Sequence, residues 1–230
     1  YNVLLVLFSV GIALIMSYSA FDLLNRRINT NSTSFSLWSS SVTFGIGTWT
    51  MHFIGMFAYK PLVETKYYDV VMVMVSFGFA VICSYVALFV ISRQTTKYSV
   101  FLGSTLLGLG VSLTQFIGLE ALYPSTIISY DLKYSVLAVF IALSGTYFAF
   151  RCFLQYRTDI KKRLNISRLK VISSFIMSMT VVTMHYTWMF GSSHVSKTSE
   201  IPLVLKMNPM ALSILLMLGT LVILLFVIIS

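Results

Sequence analysis

The chain has 230 residues, 57% hydrophobic and only 10% charged, against about 25% charged in an average soluble domain. A soluble fold could not bury that much apolar surface, whereas a bilayer removes the requirement. The net charge of +9 is concentrated in alternate loops, so it orients a membrane protein and no nucleic-acid partner is expected.

Apolar runs predict helices over 2–24, 35–59, 69–92, 99–123, 134–154, 169–191 and 208–230. The first run has no basic lead-in and no small-residue cleavage site, so it reads as a retained helix and not a signal peptide. Asp22 and Arg26 at its end are spaced as an i,i+4 ion pair. Helix 2 carries Met51-His52 and Met56, with Trp49 beside them as an expected interfacial anchor. Helix 3 contains Cys83 and helix 5 ends near Cys152; two such cysteines are expected reduced and unpaired. Helix 4 carries Thr114-Gln115 and Glu120, and Glu120 is expected to snorkel or pair with Lys133. Helix 6 carries Met184-His185 and Met189, with Trp188 as a second expected anchor, and His194 follows in the next loop. The chain begins at Tyr1 and stops within an apolar run, so it reads as a fragment.

Arg26, Arg27, Arg93, Lys97, Arg151, Arg157, Lys161, Lys162, Arg163, Arg168 and Lys170 fall on one side of this arrangement. The other side has Lys60, Lys66, Lys133, Lys197 and Lys206, diluted by Glu64, Asp69, Asp131 and Glu200. Cytoplasmic loops are enriched in lysine and arginine, which puts the N-terminus outside and the C-terminus in the cytoplasm. The Asn31 and Asn165 sequons then face the cytoplasm and should stay unglycosylated.

Internal similarity divides the chain further. Ala13, Ser17, Tyr18 and Ala20 recur as Ala80, Ser84, Tyr85 and Ala87, and as Ala142, Thr146, Tyr147 and Ala149. The even helices read GIGTWTMHFIGMFA from Gly45, GLGVSLTQFIGLEA from Gly108 and SMTVVTMHYTWMFG from Ser178. The expected fold is all-α, a polytopic bundle of seven transmembrane helices: three repeated two-helix hairpins over 1–191, then an outer loop and seventh helix over 192–230. Recurrent small residues such as Gly45, Gly108 and Ser178 allow close helix approach and should face the bundle.

His52 and His185 occupy the same place in the repeat, with Met56 and Met189 one turn on along the same face. Met51 and Met184 lie about 100° around the helix. Imidazole with thioether is a soft donor set that selects copper, as Cu(I) or Cu(II), over harder ions. Zinc remains an option through imidazole, without the usual thiolate or carboxylate. Gln115 and Thr114 stand where the middle repeat would carry His and Met, so an imidazole at 115 is expected to restore a third ligand. Glu120 and His194 are candidate lining residues. Any one of twelve methionines is by itself a core filler, and a lone buried histidine a hydrogen-bonded structural residue. Two histidines at equivalent intramembrane positions, each flanked by methionines, argue for a shared site. No nucleophile triad, P-loop or dinucleotide fingerprint is present, so this segment is not expected to be an enzyme.

At Met51-His52-Phe53-Ile54-Gly55-Met56 and Met184-His185-Tyr186-Thr187-Trp188-Met189, the chain resembles the bacterial MHYT sensor domain over helices 1 to 6. The resemblance implies a membrane input module with a copper site near the outer face that senses oxygen, carbon monoxide or nitric oxide. It implies fusion to a cytoplasmic output such as a GGDEF or EAL domain of cyclic di-GMP turnover, or a kinase, with homodimerisation through that output. The family carries a Met-His pair in the middle motif, and Thr114-Gln115 departs from it. Two other readings compete: a haem- or quinone-linked redox protein with His52 and His185 as axial ligands, and a metal-free binding or transport module.

Overall fold

The computed structural model describes residues 1–30, 34–59, 67–93, 96–122, 126–158, 166–196 and 206–229. Among them are seven helices: α1 (Val3–Thr30), α2 (Ser34–Ala58), α3 (Val70–Arg93), α4 (Lys97–Glu120), α5 (Leu132–Thr158), α6 (Ile166–Phe190) and α7 (Pro209–Ile229). Helices α1, α3, α4, α5 and α6 are long and apolar enough to cross a membrane, and α7 contributes a shorter apolar stretch, Pro209–Ile223. Large apolar side chains such as Phe8, Phe79, Phe101, Phe140 and Phe175 point outward from these five, as lipid-facing surfaces require.

Helix α2 falls short by composition, and its position explains why. It packs against α1, α3, α4, α6 and α7, so little of it is left to face lipid. Its Ser40, Ser41, Thr43, Thr48 and Thr50 are all buried. Ser41 Oγ donates to its own helix at the Leu37 carbonyl (2.8 Å), and Ser40 Oγ crosses to the Ala20 carbonyl of α1 (2.7 Å). Hydroxyls satisfied in this way are tolerated inside a helix bundle and let helices approach closely.

The most extensive packing joins α1 with α2, α3 with α4, and α5 with α6. Contacts of α2 with α3, α4 with α5, and α6 with α1 link these pairs into a closed ring, and α2, α4 and α6 also touch one another. Three equivalent hydrogen bonds tie each pair at one end: Asn2 N–H to the Ala58 carbonyl (2.7 Å), Asp69 N–H to Ala121 (2.8 Å) and Asp131 N–H to Gly191 (2.8 Å). The same three Asx residues cap the helices that follow, accepting from Leu4 N, Val71 N and Lys133 N, and Asn208 does so for α7 through Ala211 N. Close approach between neighbours needs glycine at Gly45, where a Cβ would meet the α3 backbone at Ala80 and Val81. Gly108 repeats this against Ala142 and Leu143 of α5.

Two antiparallel ribbons were not anticipated from the sequence. β2 (Thr126–Tyr130) pairs with β3 (Ser192–Ser196), and β1 (Tyr68–Asp69) with β4 (Lys206–Met207). Both lie at the end of the bundle that carries the three tying hydrogen bonds. At the opposite end Asp22 bonds Lys170 of α6 at 2.5 Å, and the same ammonium sits over the Tyr18 ring at 4.4 Å. This cross-helix pair was not anticipated; the pair expected between Asp22 and Arg26 lies outside the described residues, as do Asn31 and Asn165. Trp49 is not an interfacial anchor: it is buried between α2 and α3, and its Nε1–H donates to Ser76 Oγ (3.1 Å). Trp188 is buried as well. Cys83 and Cys152 are free thiols, as expected.

Candidate metal centre

Helices α2, α4 and α6 each deliver one polar side chain to a common point five or six residues before the helix end, roughly 8 Å along the axis. These are His52, Gln115 and His185, all buried. Gln115 Oε1 lies 2.5 Å from His52 Nδ1 and 2.7 Å from His185 Nδ1, and the two Nδ1 atoms are 3.3 Å apart. The imidazole planes are nearly perpendicular, at 89°. A carboxamide oxygen only accepts, so each Nδ1 carries the proton of its bond to Gln115. Nε2 of each ring points away from the centre, and neither has a side-chain partner there; Gln115 Nε2 has none either.

The outward ring edges are received by glycines. A Cβ at Gly118 of α4 would run into the His52 ring at Nε2, and one at Gly55 of α2 into the His185 ring at Nε2. Gly55 and Gly118 occupy the same place in their repeats, three residues after His52 and Gln115. Their role was not recognised from the sequence, although the i+3 recurrence carried the signal.

Met51, Met56, Met184 and Met189 are buried on the same helices. Thr114 does not turn toward the centre, because its hydroxyl donates to its own helix at the Gly110 carbonyl (2.9 Å). Glu120 is engaged elsewhere: its Oε1 accepts from Tyr130 Oη at 2.6 Å, in place of the expected Lys133. That bond, after burial itself, raises the Tyr130 phenol above its ordinary pKa. The His194 backbone sits in β3 opposite Ile128, and its side chain lies outside the described residues. Among the described residues no three His, Cys, Asp or Glu side chains cluster, so an ion here needs other ligands besides the two imidazoles.

The spacing tests whether an ion fits. Two nitrogens each about 2.0 Å from one metal stand about 3.3 Å apart at a tetrahedral angle and about 4 Å apart when trans. The observed 3.3 Å separation of the Nδ1 atoms matches the tetrahedral edge. Gln115 Oε1 or a buried thioether would be the further donor, and imidazole with thioether suits copper. The two imidazoles therefore fit a single ion, whereas Gln115 Oε1, at 2.5 and 2.7 Å from them, is nearer than a tetrahedral edge and would have to draw back to make room for it.

A family model described as MHYT, "Bacterial signalling protein N terminal repeat", matches residues 45–104 and 108–164. Signaling protein YkoW of Bacillus subtilis is 29% identical over 197 residues, covering 84% of this chain and 24% of that protein. The bifunctional diguanylate cyclase/cyclic di-GMP phosphodiesterase MucR of Pseudomonas aeruginosa is 28% identical over 192 residues, 82% of this chain and 27% of its own. Cyclic di-GMP phosphodiesterase NbdA of the same organism is 25% identical over 193 residues, again 82% of this chain, and 24% of its own length. The chain thus spans about a quarter of the length of these relatives. No solved structure matches it.

Proposed function

We propose, from the premise that this chain belongs to the MHYT family of bacterial signalling proteins, that it is a sensory input module holding a copper ion between His52 and His185. The chain is a multi-pass membrane signalling domain. The observation that carries the metal reading is the pair of Nδ1 atoms at 3.3 Å, buried and converging on one carboxamide oxygen. When bound, copper supplies a site for a diatomic ligand such as O2, CO or NO, or for a redox change. The protein residues hold that site dry and orient its ligands. His52 and His185 would hold the ion through Nδ1, with their protons then carried at Nε2, beside Gly118 and Gly55. Ligand-driven movement of α2, α4 and α6 would pass to a cytoplasmic output, and two relatives are named for cyclic di-GMP turnover. Dimerisation through that output follows the same analogy.

Seven crossings built from three copies of one hairpin, with α7 left over, are the architecture that best accounts for the three tying hydrogen bonds and the closed ring of helix contacts. The eleven-to-five basic asymmetry supports a centre near the outer face. A cysteine introduced at Lys66 or Thr198 should label from outside intact cells, and one at Lys161 should not. Labelling at 161 would reverse the orientation.

The competing haem reading fares worse. Axial haem ligation places its two nitrogens about 4 Å apart across a macrocycle, whereas here they share a glutamine oxygen.

Carbon monoxide tests the gas reading. Reduced, copper-loaded protein should show a C–O stretching band that vanishes in His52→Ala. Loaded protein with no band under CO would sink the gas part of the proposal and leave metal binding standing.

A further inference from the structure

We infer that Trp188 fixes the third arm of the centre as a carboxamide, by filling the space that a histidine at position 115 would need. The arms follow one rule around the ring. His52 of α2 points its outer edge at Gly118 of α4, and His185 of α6 points its edge at Gly55 of α2. Continuing in the same sense, residue 115 of α4 faces α6 at the position three beyond His185, which is Trp188. The neighbouring Phe116 ring lies 6.4 Å from the Trp188 ring, consistent with that register.

Each arm puts one heteroatom on the common point and one nitrogen outward: Nδ1 and Nε2 in the histidines, Oε1 and Nε2 in Gln115. All three outward nitrogens are buried without a partner, and so is Trp188 Nε1. An imidazole is received only where the facing residue has no Cβ, because a Cβ at Gly55 or Gly118 would overlap the ring. Trp188 supplies a Cβ and an indole at that place. A carboxamide, with one more rotatable bond than an imidazole and no ring, can bend into a place that a rigid ring cannot share with the indole. Gln115 in place of a histidine and Trp188 in place of a glycine are thus matched departures from the repeat pattern, and Gln115→His alone does not restore a third ligand.

This deepens the proposed metal centre but rests on it only for the affinity measurement; the steric rule is independent of any metal. Gln115→His is made in full-length protein carrying Trp188, Trp188→Ala or Trp188→Gly, and the melting temperature of metal-free protein in detergent is compared within each background. The histidine should lower it by about 5 °C or more with Trp188, by less with alanine, and least with glycine. If the Trp188→Gly protein does not fold, the tryptophan and alanine backgrounds decide the matter alone. Equal penalties across the backgrounds that fold overturn the inference. Copper competition then reads the second consequence: the Gln115→His, Trp188→Gly protein should bind at least tenfold more tightly than Trp188→Gly alone. Absence of copper from every variant, with the graded penalties intact, would sink the metal reading and leave the steric rule standing.

Discussion

Replacing Gln115 with leucine should destabilise the metal-free protein by about 2–4 kcal/mol, and the copper-loaded protein by much less. The carboxamide oxygen accepts from both imidazole Nδ1 atoms, at 2.5 and 2.7 Å. Leucine of similar size removes the acceptor and leaves two buried N–H groups facing each other, at about 1–3 kcal/mol each. Loss of the partnerless Gln115 Nε2 offsets part of that. With the ion held at both Nδ1 atoms and a thioether as its further donor, the same substitution orphans nothing at the centre. In melting experiments the metal-free shift should be near 10 °C, at about 2–4 °C per kcal/mol for a domain of this size. Equal shifts with and without copper would mean either that the ion does not bind at Nδ1 or that Gln115 Oε1 is itself a ligand.

Much of the scaffold was legible because the membrane enforces it. Long apolar runs must be helices where no water can satisfy the backbone, and the positions predicted for all seven match those observed to within a few residues, apart from ends. The long extension of α1 to Thr30 was missed because Asn25, Arg26 and Arg27 read as loop by polarity alone. The ribbon Thr126–Tyr130 was missed for a different reason. Its β-branched residues favour a strand, but its partner, Ser192–Ser196, lies more than sixty residues away.

At the centre, repeat matching brought His52, His185 and Gln115 to one depth correctly, because equivalent helices carry equivalent residues to equivalent heights. It could not show that Thr114 turns back to its own carbonyl, or that Glu120 is held by Tyr130. Those choices depend on which partner lies within reach. The anchoring role expected of Trp49 failed on the same point. A tryptophan near a helix end reads as interfacial, but Ser76 on α3 offers its indole a partner inside the bundle. The four Asx caps stand eleven residues ahead of Ala13, Ala80, Ala142 and Gly219, a regularity visible in the sequence. It became meaningful once the caps were seen to tie each helix pair.

The central claim is that two histidines from α2 and α6 hold one copper ion. Since each imidazole is a direct ligand in this account, removal of both leaves only an amide and thioethers, which is too weak a set to retain the ion through purification. The direct measurement is the copper content of purified full-length protein, in wild type and in the His52→Ala, His185→Ala double variant, with Met56→Leu and Met189→Leu as volume-conserving controls. The account predicts close to one copper per chain in wild type, none in the double variant, and weakened retention in the methionine variants. Equal copper in wild type and the double histidine variant, or none in either after copper loading, would contradict it.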